Sequence, residues 1–103
     1  MAKFVYAYKG GSVSQTPEER EEAMAAWGAW FAGLGDAVVD MGNPFAGSTA
    51  VAASGTTATP TADLTGYSIV TADTLELAAK LAGDCPVLAG GGTVEVYEAH
   101  EIM

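Results

Sequence analysis

The chain has little with which to bind a metal, close a disulfide or grip a phosphate. Its 103 residues hold one cysteine and one histidine. A lone Cys85 excludes an intrachain disulfide, and with only His100 beside it no zinc-ligand spacing can be written. Basic residues are equally scarce: Lys3, Lys9, Arg20 and Lys80 stand against 13 acids, a formal charge of −9. Phosphate backbones and anionic membrane surfaces need clustered cations, and these four are scattered, so nucleic acid and membrane are excluded as partners. No apolar run approaches the ~20 residues of a membrane span. The N-terminus lacks the basic–apolar–small pattern of a secretory signal. A soluble cytoplasmic protein without metal or cofactor is therefore expected. The acidity would suit a cationic partner, although solvated surface acids are the plainer explanation.

What is present is a single domain over residues 1–103. Half of the residues are apolar, but many are alanines that bury little area each, which predicts extra burial against a partner subunit. The last third carries the clearest pattern. Gly66 to Thr71 has the β-branched and aromatic content of a strand. Asp73 is placed to cap a helix over Thr74 to Ala82, with Glu76 as the capping-box partner and Gly83 as the terminator. After Asp84-Cys85-Pro86 and a Gly90-Gly91-Gly92 break, Thr93 to Glu98 alternates as a half-buried strand. The three glycines open no helix and precede no Lys-Ser/Thr, so they form a turn rather than a phosphate cradle.

The first half repeats the theme. Lys3 to Lys9 alternates, placing Phe4, Tyr6 and Tyr8 on one face and Val5 and Ala7 on the other. A polar loop leads to Thr16, which with Pro17 and Glu19 signals a helix from Pro17 to Leu34. Met24, Trp27, Phe31 and Leu34 form its apolar stripe. Trp27 is expected in the core. Trp30 flanks the stripe and needs a second surface, a cleft rim or a dimer contact, and the contact is preferred. Ala37 to Met41 reads as a short strand with Asp40 on the face of Val38. The stretch from Ala46 to Thr65 is rich in small residues, with an extra strand at Thr49 to Ala53.

The sum is an α+β, ferredoxin-like split βαβ pattern with helices on one face of an antiparallel sheet. The expected strand order sets the last strand beside the first, the first beside Gly66–Thr71, and that beside Ala37–Met41. A bare face bearing Phe4, Tyr6, Tyr8 and Tyr97 would expose a large apolar patch, which predicts a homodimer through that face. On the same argument, Tyr6, Tyr8, Ser68 or Tyr67, and Tyr97 are candidate ligand-binding groups. Glu95 and Asp40 are the accompanying carboxylates. A carboxylate in an apolar cleft has its pKa raised and can serve acid–base chemistry near neutrality. Cys85 is expected to be a small buried residue, since no base or cation stands near it in the pattern.

The blocks Ala26-Trp27-Gly28-Ala29-Trp30-Phe31, Gly42-Asn43-Pro44-Phe45, Leu64-Thr65-Gly66-Tyr67 and Cys85 to Glu98 resemble the YCII-related domain family. That resemblance implies a dimeric α/β barrel, with one branch linked to dehydrochlorination of an aromatic substrate and others to a His–Asp pair in the cleft. The family's first-helix histidine falls near Met24, which transfers no proton. Asp84 lies close to the family's aspartate before a proline, with Cys85 intervening. Two functions follow from the sequence: a small-ligand-binding or regulatory module, or a small acid–base lyase or hydrolase acting on a compact, possibly aromatic molecule.

Overall fold

A computed structural model of the chain describes residues 2–11, 16–60 and 63–100. Its centre is an antiparallel sheet built on two long strands, β1 (Ala2–Lys9) and β5 (Leu64–Ala72). Between them in sequence come α1 (Pro17–Leu34), β2 (Val38–Asp40), β3 (Ala50–Val51) and β4 (Thr57–Ala58). After β5 follow α2 (Leu75–Leu81), α3 (Pro86–Ala89) and β6 (Thr93–Ala99). The sheet order is β2-β5-β1-β6, so the crossover after β1 delivers β2 to the outer edge of β5, and the crossover after β5 delivers β6 to the outer edge of β1. The architecture is α+β, with a four-stranded antiparallel sheet and helices, and it is compatible with a ferredoxin-like fold. No closed barrel forms among the described residues.

Local chemistry accounts for the boundaries. Thr16 caps α1 with its side chain accepting from the Glu19 amide at 3.1 Å, Pro17 occupies the first turn, and Gly35 closes the helix at φ 58°. The loop expected between Gly11 and Thr16 lies, for residues 12–15, outside the described residues. In α2 the cap is Thr74, one residue later than expected from Asp73: the Thr74 hydroxyl accepts from the Leu77 amide at 3.1 Å. Gly83 does not end this helix in a left-handed conformation. A 3-10 turn over Ala82–Asp84 tightens the last turn instead, and Pro86 starts the short α3 where only a loop was expected.

The sheet register sets which residues share a face. Across β1 and β6, Tyr6 stands opposite Val96 and Tyr8 opposite Val94, while Val5 meets Tyr97 and Ala7 meets Glu95. Across β1 and β5, Phe4 opposes Val70 and Tyr6 opposes Ser68. Phe4, Tyr6, Tyr8, Val70 and Ala72 pack beneath the helices with Trp30, Ala78, Ala82, Cys85 and Val87, with Val94 and Val96 at the margin. This corrects the expectation that Phe4, Tyr6, Tyr8 and Tyr97 share the bare face. Residues directly opposite in a ladder point the same way, and Val94 and Val96 carry the tyrosines of β1 under the helices with them. The open face holds Val5, Ala7, Tyr67, Ile69, Glu95 and Tyr97.

Two smaller expectations also change. Val38 pairs with Val70 but Asp40 pairs with Ile69, because the ladder slips between them; the bulge puts Asp40 on the face opposite Val38. The extra strand in the small-residue segment exists as β3, but it pairs only with β4 in a separate two-stranded hairpin and adds nothing to the main sheet.

Candidate functional site

Helix α1 sits loosely on the sheet. Trp30 is its one buried residue among those described, and Met24, expected on the buried stripe, is 75% exposed. Trp30 is therefore a core residue and not the flank contact the stripe suggested. Its indole Nε1–H donates to the Leu81 carbonyl at 3.2 Å, which ties α1 to the end of α2. Trp27, expected in the core, is only half-buried and meets Tyr8 edge-on at 5.0 Å.

The looseness leaves a cleft of about 1940 Å³ between α1, the start of β5, the turn after β2 and the α2–α3 connection. Closed small-molecule sites hold ~300–1,000 Å³, so this one is an open trough larger than any such site. Its wall is aromatic. Trp27 lies 5.8 Å from Trp30 and 5.9 Å from Phe31, and Trp30 lies 5.0 Å from Phe31, centroid to centroid.

The floor carries a buried hydroxyl relay. Tyr8 donates to Ser68 Oγ at 2.7 Å, and Ser68 donates to the Met41 carbonyl at 2.6 Å. Ser68 is fully buried, and a buried hydroxyl needs both partners to offset its desolvation. With the Tyr8 hydrogen committed to Ser68, the lone pairs of its oxygen are what the relay offers to an incoming donor. Burial pushes the Tyr8 phenol well above its ordinary range, with the Ser68 contact pulling weakly the other way. It is neutral at physiological pH.

The turn over Met41 to Pro44 forms one end of the cleft, and a glycine fixes it. Gly42 has φ +77°, and a Cβ there would fall 1.7 Å from the Tyr67 carbonyl oxygen. The Asp40 carboxylate accepts from the Gly42 amide at 2.8 Å and holds the turn from outside the cleft. Next to it Pro44 bridges to Gly66, and Phe45 stacks on Tyr67 at 5.8 Å.

The sequence candidates divide between two faces. Tyr8, Ser68, Trp30 and Asp84 line the cleft, Asp84 at its exposed rim. Tyr6 does not: it is fully buried, and its hydroxyl donates to the Ala78 carbonyl, fastening α2 to the sheet. Burial raises its pKa to about 12, with Cys85 adding to the effect. Glu95 and Tyr97 lie on the open face, where the Tyr97 hydroxyl donates to Glu95 Oε1 at 2.8 Å. That hydrogen bond and the carboxylate's charge raise the Tyr97 pKa. Asp40 is exposed at the sheet edge, its second oxygen 3.5 Å from the Tyr67 hydroxyl.

Glu95 and Tyr97 thus do not stand beside Tyr6 and Tyr8 as expected; the sheet separates them. Cys85 is buried, and burial pushes its thiol up to about 11, against a weaker opposing hydrogen bond from Val87.

Sequence reasoning missed Phe31 and the Met41–Pro44 turn as parts of the site. The turn was legible as Gly-Asn-Pro, but nothing local said that it would face α1. No helix among the described residues is long and apolar enough to cross a membrane. No protein-family model matches the chain, no curated protein matches it, and no solved structure matches it.

Proposed function

We propose that this chain is a small-ligand-binding or regulatory module that works as a homodimer, holding a compact, largely apolar aromatic molecule between α1 and the sheet. The observation that carries this reading is the make-up of the cleft. Its wall is Trp27, Trp30 and Phe31, and its buried polar groups are the neutral Tyr8 and Ser68 hydroxyls. Such a site offers stacking and one oriented hydrogen bond. It favours binding over the acid–base alternative, because Glu95 and Asp40 lie outside the cleft and the carboxylates that line it, Glu19, Glu22 and Asp84, are all exposed at its rim.

An uncovered sheet face supports the dimer. The open face of the sheet, with Val5, Ile69 and a 55% exposed Tyr97, is the surface to be covered. A face-to-face pairing of this kind is also what the resemblance to YCII-related domains implies.

The test is an NMR titration of the Trp27 and Trp30 indole signals with 4-tert-butylphenol, whose hydroxyl can donate to the Tyr8 oxygen. The Trp27 signal should move saturably, and Tyr8→Phe should weaken binding by about threefold to tenfold, as one neutral hydrogen bond is worth. Indole signals that stay fixed up to millimolar ligand would sink the proposal.

A further inference from the structure

The distribution of charge around the cleft narrows the kind of ligand it takes. Two of the four acids of α1, Glu18 and Glu21, do not line the cleft. Glu19 does. It lies one turn before Ala23, which lies one turn before Trp27, so a carboxylate and an indole share one stripe of the helix. Glu22 flanks that stripe and also lines the cleft, and Asp84 faces it from the α2–α3 connection. The lining therefore includes three carboxylates, and Lys80 is its one cation among the described residues. All three are exposed, so they form the solvated rim of the cleft above its aromatic wall.

Below that rim, Trp27 and Phe31 are only half-buried, so part of their ring surface remains open. The two rings are 5.9 Å apart and tilted by 35°, and Tyr8 meets Trp27 at 75°. The negative faces of aromatic rings attract a cation, tryptophan most strongly. The carboxylates and the overall charge of −9 raise the local concentration of cations over anions.

We infer that the cleft selects organic cations, of the quaternary ammonium or protonated arylamine class, seated against Trp27 and Phe31 beneath the Glu22 and Asp84 carboxylates. This rests on the ligand-binding reading of the same cleft and adds to it the sign of the charge. The cation needs no deep burial, because its positive group stays near the rim while its apolar part meets the wall. Desolvation then costs little, and ring and carboxylates act on the same charge.

The experiment compares three probes of nearly one shape on the full chain: phenyltrimethylammonium, its carbon isostere tert-butylbenzene, and benzenesulfonate. Binding is read from the Trp27 indole signal. Phenyltrimethylammonium should bind about tenfold tighter than tert-butylbenzene at low salt, the advantage of a cation on an aromatic face with nearby anions. Benzenesulfonate should bind weakest. Raising the salt to about 0.5 M should shrink the cation's advantage to about threefold, since exposed carboxylates are screened and ring faces are not. The double substitution Glu22→Gln with Asp84→Asn, both at exposed positions, should do the same at low salt. Equal or tighter binding of tert-butylbenzene, or an advantage that the double variant leaves unchanged, overturns the inference while the aromatic-binding reading stands. Failure of all three probes to move the indole signal overturns both.

Discussion

Removing one oxygen from Tyr6 tests how α2 is fastened to the sheet, and its effect should fade at high pH. Tyr6 is fully buried, and its hydroxyl donates to the Ala78 carbonyl. Tyr6→Phe deletes the donor and leaves the ring in place. The Ala78 carbonyl is not orphaned, because it also accepts from the Ala82 amide at the end of α2. The loss is therefore that of one neutral hydrogen bond, about 1 kcal/mol near pH 7. For a chain of about this size that is a fall in Tm of roughly 4–8 °C.

Above pH 10 the balance changes. Burial raises the folded-state pKa of Tyr6 from 10.0 to about 12, so the folded chain retains a proton that the unfolded chain gives up. The stabilisation is complete below pH 10, declines between pH 10 and 12, and is lost above. At pH ~11 the wild type has forfeited about 1.4 kcal/mol through this residue, one pKa unit's worth, and the phenylalanine variant nothing. Variant and wild type should thus be of nearly equal stability near pH 11. The assay is urea unfolding followed by tryptophan emission at pH 8 and pH 11. A variant equally destabilised at both pH values would show that Tyr6 is not held protonated in a dry core, and the account of β1 under α2 would fail.

Three further outcomes are expected. Gly42→Ala should cost about 3 kcal/mol or more, because the left-handed backbone penalises a side chain and a new Cβ collides with the Tyr67 carbonyl, which cannot move aside; circular-dichroism melting measures it, and an unchanged Tm would refute the turn geometry. Cys85, with its thiol pushed up to about 11 by burial, should react with a mild thiol reagent at neutral pH only as fast as the chain opens, and Cys85→Ala should cost about 1 kcal/mol; rapid stoichiometric labelling of the native protein would contradict both. Ile69→Glu, on the open face opposite Val5, should convert the proposed homodimer to monomer in sedimentation experiments by placing a charge in an apolar contact, and a wild type that is already monomeric at micromolar concentration would remove the proposal.

Much of this architecture could be read from the chain without coordinates. Thr16, Pro17 and Gly35 bounded α1, and the helix runs from Pro17 to Leu34 as expected. The alternation of β1 and β6 and the β-branched and aromatic content of β5 sufficed for the strands, and the split βαβ pattern sufficed for their order. These are local properties: caps, turn glycines and a period of two are encoded within a few residues. That Val94 and Val96 pack toward the helices, with Glu95 and Tyr97 on the other side, was also legible, because alternation within one strand decides it.

What alternation cannot decide is how one strand's faces match its neighbour's. A slip of one residue exchanges the faces of a whole strand. Only the register that sets Tyr6 against Val96 and Ser68 shows that the tyrosines of β1 lie under the helices. That one relation moved Tyr6 into the core, brought Tyr8 and Ser68 to the floor of the cleft, and left Glu95 on the far side of the sheet. The roles of the two tryptophans were hidden for a similar reason. Both lie near one apolar stripe, and only the tilt of α1 against α2 decides which indole reaches the Leu81 carbonyl and which stays half-open to the cleft. Sequence determined the elements and their internal faces; the site arose where elements far apart in sequence were brought into contact, and no short-range pattern encodes that distance.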